Sequence, residues 1–588
     1  MLSKIPFDPS IMKFVKKENY ENCTKLPLLS SIVQNENGQN LLILNKNELK
    51  YLNKKIFCCW SPIIRPIPKK PIPEENFDSS ITVEKCIEFN NSVILTKEIE
   101  TLMVTCNEVN ANQKLKKRST IYKNVHSIIN VEKISNRFNH SINDNKKKKL
   151  SVLILGLDNV SRLNFQRNLP KTVDYLNKNE WLIMKGYNKM GENTFPNLMA
   201  ILTGQGQEES HSKCTPNVPF GLDNCPLIWY NFRNAGYVTA YAEDEAPMST
   251  FNLLKVGFVE PPTDYYLRPY IIATEKLLKI HKRFECNYCT GPELSEERII
   301  NSAVDFAIRL SGFPYFGFFW ANSVTHDSIN GLSIMDFYIH SKLKQLEENG
   351  VMNETMIIFL SDHGMRMGEF RKTFMGWYEE RLPFLYIWLP KWFRDANPKV
   401  HEALKINQNR LTSPFDIYET LRDILMRNNG SAKSNSNCPK CTSLFKKVSI
   451  ERGCQDAGIP SHWCVCSVFE MKNEASGKIV LKGAQKIVNH IENIVKNYKT
   501  KTNIRLCSKL NLKKIHKFHQ ILNLNINSTK EYYYMIELTP GNAKFEATIN
   551  YNDVDFSIND REISRIDSYR DSSKCLDYGQ KRYCHCIN

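Results

Sequence analysis

The hydrophobic pattern changes character near residue 150. "LSVLILGL" (150–157) is a continuous apolar run between Lys149 and Asp158, the pattern of a strand buried on both faces. Similar runs follow at 237–244, 315–322, 355–362 and 383–390. Between them lie helix-like stretches, "ELSEERIINSAVDFAIRLSG" (293–312) and "SIMDFYIHSKLKQLEENG" (333–350), the second closing on a glycine as helices often do. Strand alternating with helix over 150–430 predicts an α/β domain with a mostly parallel sheet flanked by helices. Residues 1–149 read as a Cys-containing, mostly β region with Pro-rich turns over 61–75. Residues 431–588 read as a Cys-rich region packing on the core, with a helix near 478–498 and a β pair over 532–551 turning at Pro540-Gly541.

The chemistry gathers where the predicted strands stop. The first ends at Asp158, the run at 315–322 leads into His326-Asp327, and the run at 355–362 ends on Asp362-His363-Gly364. Each has a plain explanation: an Asp after a strand commonly caps a helix or opens a turn. Together, at the carboxyl edge of one sheet where α/β folds bind ligands, oxygen and nitrogen donors suit a divalent Zn, Mn, Mg or Ca ion. "MGENTFPNLMAILTG" (190–204) places Thr194 before a short apolar helix that closes at Thr203-Gly204. A Thr there is a helix cap, or a hydroxyl nucleophile beside the positive end of the helix, where anions bind.

Charge and cysteine content narrow the setting. The chain has 588 residues, 42% of them hydrophobic, with 79 Lys+Arg against 62 Asp+Glu for a formal charge of +17. The excess is dispersed, and the one dense run, "DNKKKKLSV" (144–152), flanks the first strand. It reads as a solvated basic surface, and no nucleic-acid partner is expected. Eighteen cysteines cluster towards the two ends, which predicts disulfides in an oxidising compartment. The rival is zinc held by "CNYC" (286–289), "CPKC" (438–441) and "CVC" (464–466), at spacings irregular for a zinc ribbon. Seven glycosylation sequons begin at Asn22, Asn90, Asn139, Asn159, Asn353, Asn429 and Asn527. The first residues carry no apolar signal-peptide core, and no stretch of about 18 apolar residues offers a span. With so many cysteines, the expectation is an extracellular or luminal protein whose secretory signal or membrane anchor is missing from this N-terminus.

"LILGLDNVSR", "ENTFPNLMAILTG", "NSVTHDSIN" and "IIFLSDHGM", in that order, resemble the alkaline-phosphatase/sulfatase superfamily. Within it, "GCQDAGIPSHWCVC" and the terminal "YCHCIN" are similar to an uncharacterised animal family, domain of unknown function 229. The resemblance implies an alkaline-phosphatase-like core over 150–430. It makes Asp158, Asp362 and His363 metal ligands, and Thr194 both a metal ligand and the nucleophile. It places His326 at the substrate anion or leaving group, with Asn193, Arg371 and Lys372 as further substrate contacts. Sulfatases of the superfamily begin their helix with a Cys or Ser in C/S-x-P-x-R, whereas here Thr194 stands at that position and Asn197-Leu198 replace the small residue and the Arg. "CTPNV" (214–218) lacks the Arg and follows the Thr-Gly. After His363 no His precedes a Gly, so the second metal of two-metal members lacks its late ligand. The resemblance thus implies a metal-dependent phosphoester hydrolase or phosphotransferase acting on an anionic substrate carried by a glycan or lipid. The alternatives are a sulfatase-like esterase without formylglycine and an inactive secreted binding protein of the same fold.

Overall fold

The structure, a computed structural model, describes residues 5–45, 56–66, 77–108, 119–135, 148–428, 430, 436–471, 477–500, 503–522, 529–576 and 580–587. Parts of the Pro-rich stretch (61–75) and of the lysine run (144–152) lie outside them, as do the sequons at Asn139, Asn429 and Asn527.

The apolar run at 150–157 forms β1 (Ser151–Leu157), with all its residues buried. It is the middle strand of a seven-stranded sheet. On one side it pairs in parallel with β4 (Tyr315–Ala321), which pairs in parallel with β2 (Val238–Glu243). On the other side it pairs in parallel with β5 (Thr355–Leu360). The last expected strand, β6 (Leu385–Trp388), runs antiparallel to β5. A 3-10 helix, Glu369–Lys372, and a short α-helix, Phe374–Arg381, lie between the two, and the chain turns back beside β5 instead of crossing over the sheet.

Alternate residues of β1 face opposite layers. Leu153, Leu155 and Leu157 share a core with Ile299, Ala303 and Phe306 of α2 (Ser295–Arg309) and with Ile339 and Leu343 of α3 (Asp336–Glu348). Val152 and Ile154 pack with Leu198, Met199 and Leu202 of α1 (Thr194–Thr203) and with Ile417 and Leu421 of α4 (Pro414–Arg427). Each fully buried aliphatic side chain contributes roughly 1.5–3 kcal/mol, so the layers fix the sheet and the positions of the loops at its end.

Further β structures surround this core. The N-terminal region carries Ile56–Ile64, Thr101–Glu108 and Thr120–Ser127 side by side, stapled by Cys58–Cys106 and Cys59–Cys86. The C-terminal region is an antiparallel sheet of Val468–Met471, β7 (Asn511–Leu522), β8 (Lys530–Thr539), β9 (Ala543–Tyr551) and β10 (Phe556–Arg565), packed by helix α5 (Lys478–Val495). The β8–β9 turn holds the Pro540-Gly541 of the sequence expectation, with a cis bond before the proline. A third, small sheet at the N-terminus joins Ser30–Gln34, Asn40–Leu44 and Ser92–Ile94.

The cysteines form disulfides rather than zinc ribbons: Cys438 bonds Cys441, Cys464 bonds Cys454, and Cys289 bonds Cys23, while Cys286 and Cys466 are unpaired. Asn22, Asn90 and Asn353 are exposed, but Asn159 is 4% exposed and bonded within the core, so its sequon is closed to glycosylation in the folded protein. Among the described residues no helix is long and apolar enough to cross a membrane.

The C-terminal sheet is locked to the α/β core by buried charges. Glu546 of β9 receives Arg371 Nη2 at 2.7 Å, Arg381 Nη2 at 3.3 Å and the Tyr533 hydroxyl at 2.9 Å. Burial would raise this carboxyl, yet the two arginines pull its pKa far below the carboxylate range. Removing one partner of such a cluster leaves charges unpaired out of water, at about 3–5 kcal/mol. A Glu546→Gln variant is therefore expected to unfold at a clearly lower denaturant midpoint; an unchanged midpoint would mean that the arginines find other acceptors.

Candidate active site

The strand register builds the site. Leu360 pairs with Gly156, so two residues further on Asp362 comes alongside Asp158. Ala321 pairs with Leu157, which starts the loop carrying His326 from the other neighbour of β1. Asp158, Asp362 and His363 are buried, and one ligand atom from each lies within 4.8 Å of the others. His363 Nε2 is 3.2 Å from Asp362 Oδ2 and 3.8 Å from Asp158 Oδ1. Gly364 is required by crowding: a Cβ there would lie 2.1 Å from the Glu379 carbonyl oxygen.

Thr194 is the first residue of α1, with Asn193 at the N-cap position. Asn193 makes no side-chain cap bond, and the Thr194 hydroxyl donates to Asp158 Oδ1 at 3.3 Å. Thr194 is therefore not the cap of its helix; its oxygen faces the carboxylates. The loop before it is held by Asn197, whose Oδ1 accepts from the amides of Met190 and Gly191 and whose Nδ2 donates to the carbonyls of Gly191 and Asn193. The Asn that replaces the sulfatase residue thus sets the entry to α1. Gly204 ends the helix at φ 69°, a left-handed conformation that suits Gly.

His326 borders the cluster, with Nε2 4.0 Å from Asp158 Oδ2 and Nδ1 3.0 Å from Asp327 Oδ2. Arg371 and Lys372 are not brought to the site. Arg371 is buried against Glu546 and donates to the carbonyls of Arg366 and Gly376, and Lys372 pairs with Glu369 at the surface. The cation of this loop whose charge acts on Asp158 and His363 is Arg366. Nothing in the sequence distinguishes Arg366 from its two neighbours. Asn159 also escaped the sequence reading. At φ 67° its amide donates to Asp362 Oδ1 at 3.1 Å, its Nδ2 to the His326 carbonyl at 2.5 Å, and its Oδ1 contacts His363 Nδ1 at 3.2 Å. The signal was present in Asp-Asn directly after a strand, since Asn tolerates the left-handed turn.

The electrostatics call for a cation. Burial, and then the neighbouring Asp362, hold the Asp158 carboxyl well above its ordinary range. Burial raises Asp362 too, but His363, the Asn159 amide and the Thr194 hydroxyl outweigh it and leave Asp362 low. Burial pushes the His363 imidazole down to about 3, so it is neutral, with a lone pair free for a metal. Asp158 Oδ2, Asp362 Oδ2 and His363 Nε2 are buried without a hydrogen-bond partner among the described residues. Such atoms are costly to leave unsatisfied. Two carboxylates and a neutral imidazole, with the Thr194 hydroxyl adjoining, fit a divalent ion. Beside them, Asn193 and Phe195 open into a cleft of about 1600 Å³, lined also by Met248, Leu254, Lys255 and Lys282.

A family model described as a protein of unknown function, DUF229, matches residues 16–516. The chain belongs to this family. The resemblance seen in the DUF229-like tail motifs is thereby met by a match over most of the chain. No curated protein matches the sequence. Solved structures similar to it include the lipoteichoic acid synthase LtaP of Listeria monocytogenes, at 11% identity and a TM-score of 0.35, covering 58% of this chain and 88% of that one. The C-terminal periplasmic domain of EcEptC from Escherichia coli follows at 12% and 0.36, covering 52% and 88%. The phosphonate monoester hydrolase of Agrobacterium radiobacter is similar at 13% and 0.35, covering 68% and 89%. DUF229 membership specifies no reaction, so the chemistry rests on the residues themselves.

Metal binding to the folded state alone stabilises it, by about 2.7 kcal/mol when the ion is at a hundred times its Kd. Protein stripped with a chelator is expected to melt lower and to recover on adding Mn²⁺ or Zn²⁺. Asp362→Asn should flatten that recovery; an equal rise in the variant would place the ion elsewhere.

Proposed function

We propose that this protein is a secreted, metal-dependent phosphoester hydrolase or phosphotransferase with Thr194 as its nucleophile. One observation carries the reading: the Thr194 hydroxyl points at a buried Asp158–Asp362–His363 cluster in which Asp158 Oδ2, Asp362 Oδ2 and His363 Nε2 lack hydrogen-bond partners among the described residues. These residues, with Thr194, would hold the ion. Bound there, a divalent ion neutralises charge on the phosphoryl oxygens and on the attacking oxygen.

The chain's own groups do the rest. The uncapped amides at the start of α1 face a phosphoryl oxygen, as helix N-termini do. Thr194 passes its hydroxyl proton to Asp158 Oδ1 as its Oγ1 bonds to phosphorus and the bond to the leaving alcohol breaks. His326 Nε2–H donates a hydrogen bond to the departing oxygen, which takes its proton from water. Water or an acceptor alcohol then attacks the phosphothreonine and regenerates the Thr194 hydroxyl. Arg366 offsets charge from the far side of the cluster. Asn193 meets the part of the substrate that enters the cleft, where Lys255 and Lys282 offer charge to an anionic ester carried on a glycan or lipid, among apolar side chains and three glutamates, Glu245, Glu275 and Glu285. The disulfides and exposed sequons support an extracellular or luminal location.

Thr194→Ala is expected to keep its metal and to lose phosphodiester hydrolysis by roughly a thousand-fold or more, as removal of a nucleophile does. A phosphate trapped on Thr194 in a rapidly quenched digest would identify the intermediate. Full turnover by Thr194→Ala, or a preference for aryl sulfate over aryl phosphate and phosphodiester, would overturn the assignment. Metal-loaded wild type without activity on any of these esters would leave a binding protein.

A further inference from the structure

We propose that Cys286, His326 and Asp327 form a second cation site, suited to zinc, directly beside the first. Cys286 opens strand β3 (Cys286–Thr290), and its Sγ lies 3.6 Å from Asp327 Oδ2. His326 Nδ1 lies 3.0 Å from the same oxygen, and one ligand atom from each of the three falls within 4.8 Å of the others. Zinc bonds of about 2.3 Å to sulfur and 2.0–2.2 Å to nitrogen or oxygen put tetrahedral ligands roughly 3.3–3.7 Å apart. The sulfur–oxygen contact falls within that spacing and the nitrogen–oxygen contact is about 0.3 Å shorter than its lower end, so small side-chain adjustments close the site.

The cysteine pattern supports this independently. The chain's other C-x-x-C pair is a disulfide, but here Cys289 bonds Cys23 and leaves Cys286 buried and unpaired. Its thiol is kept at the metal-facing end of β3. Both ligand-bearing segments are clamped from the end of β2. Asp244 accepts the amides of Asn322 at 2.6 Å and Ser323 at 3.2 Å, fixing the turn that carries His326 and Asp327. Glu245 accepts the Asn287 amide and, at 3.1 Å, its carboxamide, fixing the residue after Cys286. Preorganisation of this kind is what a metal site requires.

A sulfur, an imidazole nitrogen and a carboxylate oxygen favour zinc over magnesium or calcium. In the structure Asp327 also receives Arg570 Nη2 at 2.6 Å, and Arg570 holds Glu285 at 3.1 Å. Arg570 is half-exposed and can stay on Glu285 when the ion takes its place. Binding releases the Cys286 thiol proton to water and leaves His326 a neutral imidazole ligated through Nδ1. Its single proton is then on Nε2, the nitrogen that faces Asp158. The site therefore builds on the proposed reaction: it fixes the tautomer whose Nε2–H donates a hydrogen bond to the leaving oxygen.

The test is zinc content of the secreted full-length chain, wild type against Cys286→Ser, Asp327→Asn and Asp362→Asn. Wild type is expected to hold about two ions, and each variant about one. Cobalt-loaded wild type should show thiolate-to-cobalt absorption that Cys286→Ser lacks. A single ion, lost in Asp362→Asn and indifferent to Cys286→Ser and Asp327→Asn, would overturn the second site and leave the proposed reaction standing. A single ion lost in Cys286→Ser and Asp327→Asn but kept in Asp362→Asn would support the second site and remove the first. Wild type without zinc removes the second site, and without any divalent ion it removes both.

Discussion

Two carboxylates held side by side out of water constrain everything around them. Asp158 and Asp362 end adjacent parallel strands, and the layers that bury those strands also bury their ends. Like charges at that distance in a low-dielectric setting do not both stay ionised without a positive partner. The His363 imidazole packed against them is itself kept neutral by burial. The structure answers with Asn159 turned left-handed to donate to Asp362, with the Thr194 hydroxyl on Asp158, and with Arg366 nearby. None of these cancels the charge, and the remaining lone pairs converge on one point.

Around that point the fold spends its more distant parts on position. The C-terminal sheet reaches in twice. Glu546 takes up Arg371 and Arg381 and so anchors the loop that follows His363, and Arg570 approaches Asp327 beside His326. The N-terminal region is tied in through Cys23–Cys289, next to Cys286. The other disulfides staple each region internally, and the one buried thiol outside them lies where imidazole and carboxylate already meet. The cysteine-rich ends thus bear on the site as well as on stability.

Much was legible in the sequence, for a physical reason. A strand buried on both faces must be a continuous apolar run, so 150–157, 315–322 and 355–362 announced themselves, and their ends named Asp158, His326, Asp362 and His363. The 3.6-residue repeat marked α2 and α3, and the glycines at 204 and 350 marked where helices stop. Local chemistry of this kind depends on neighbours in the chain, and a reader of the chain can see it.

What only the tertiary structure decided depends on residues far apart in sequence. Arg371 and Lys372 looked as available as Arg366, until Glu546, more than 170 residues on, claimed Arg371 and turned it from the site. Asn159 matched a glycosylation signal, yet its burial between two other loops makes it a brace. The direction of β6 shows in its antiparallel pairing with β5, not in its apolar pattern, which is the same for either direction. The partners of eighteen cysteines, and the meeting of Cys286 with His326 and Asp327, were settled by packing, because a sequence records which side chains exist and not which of them share a volume.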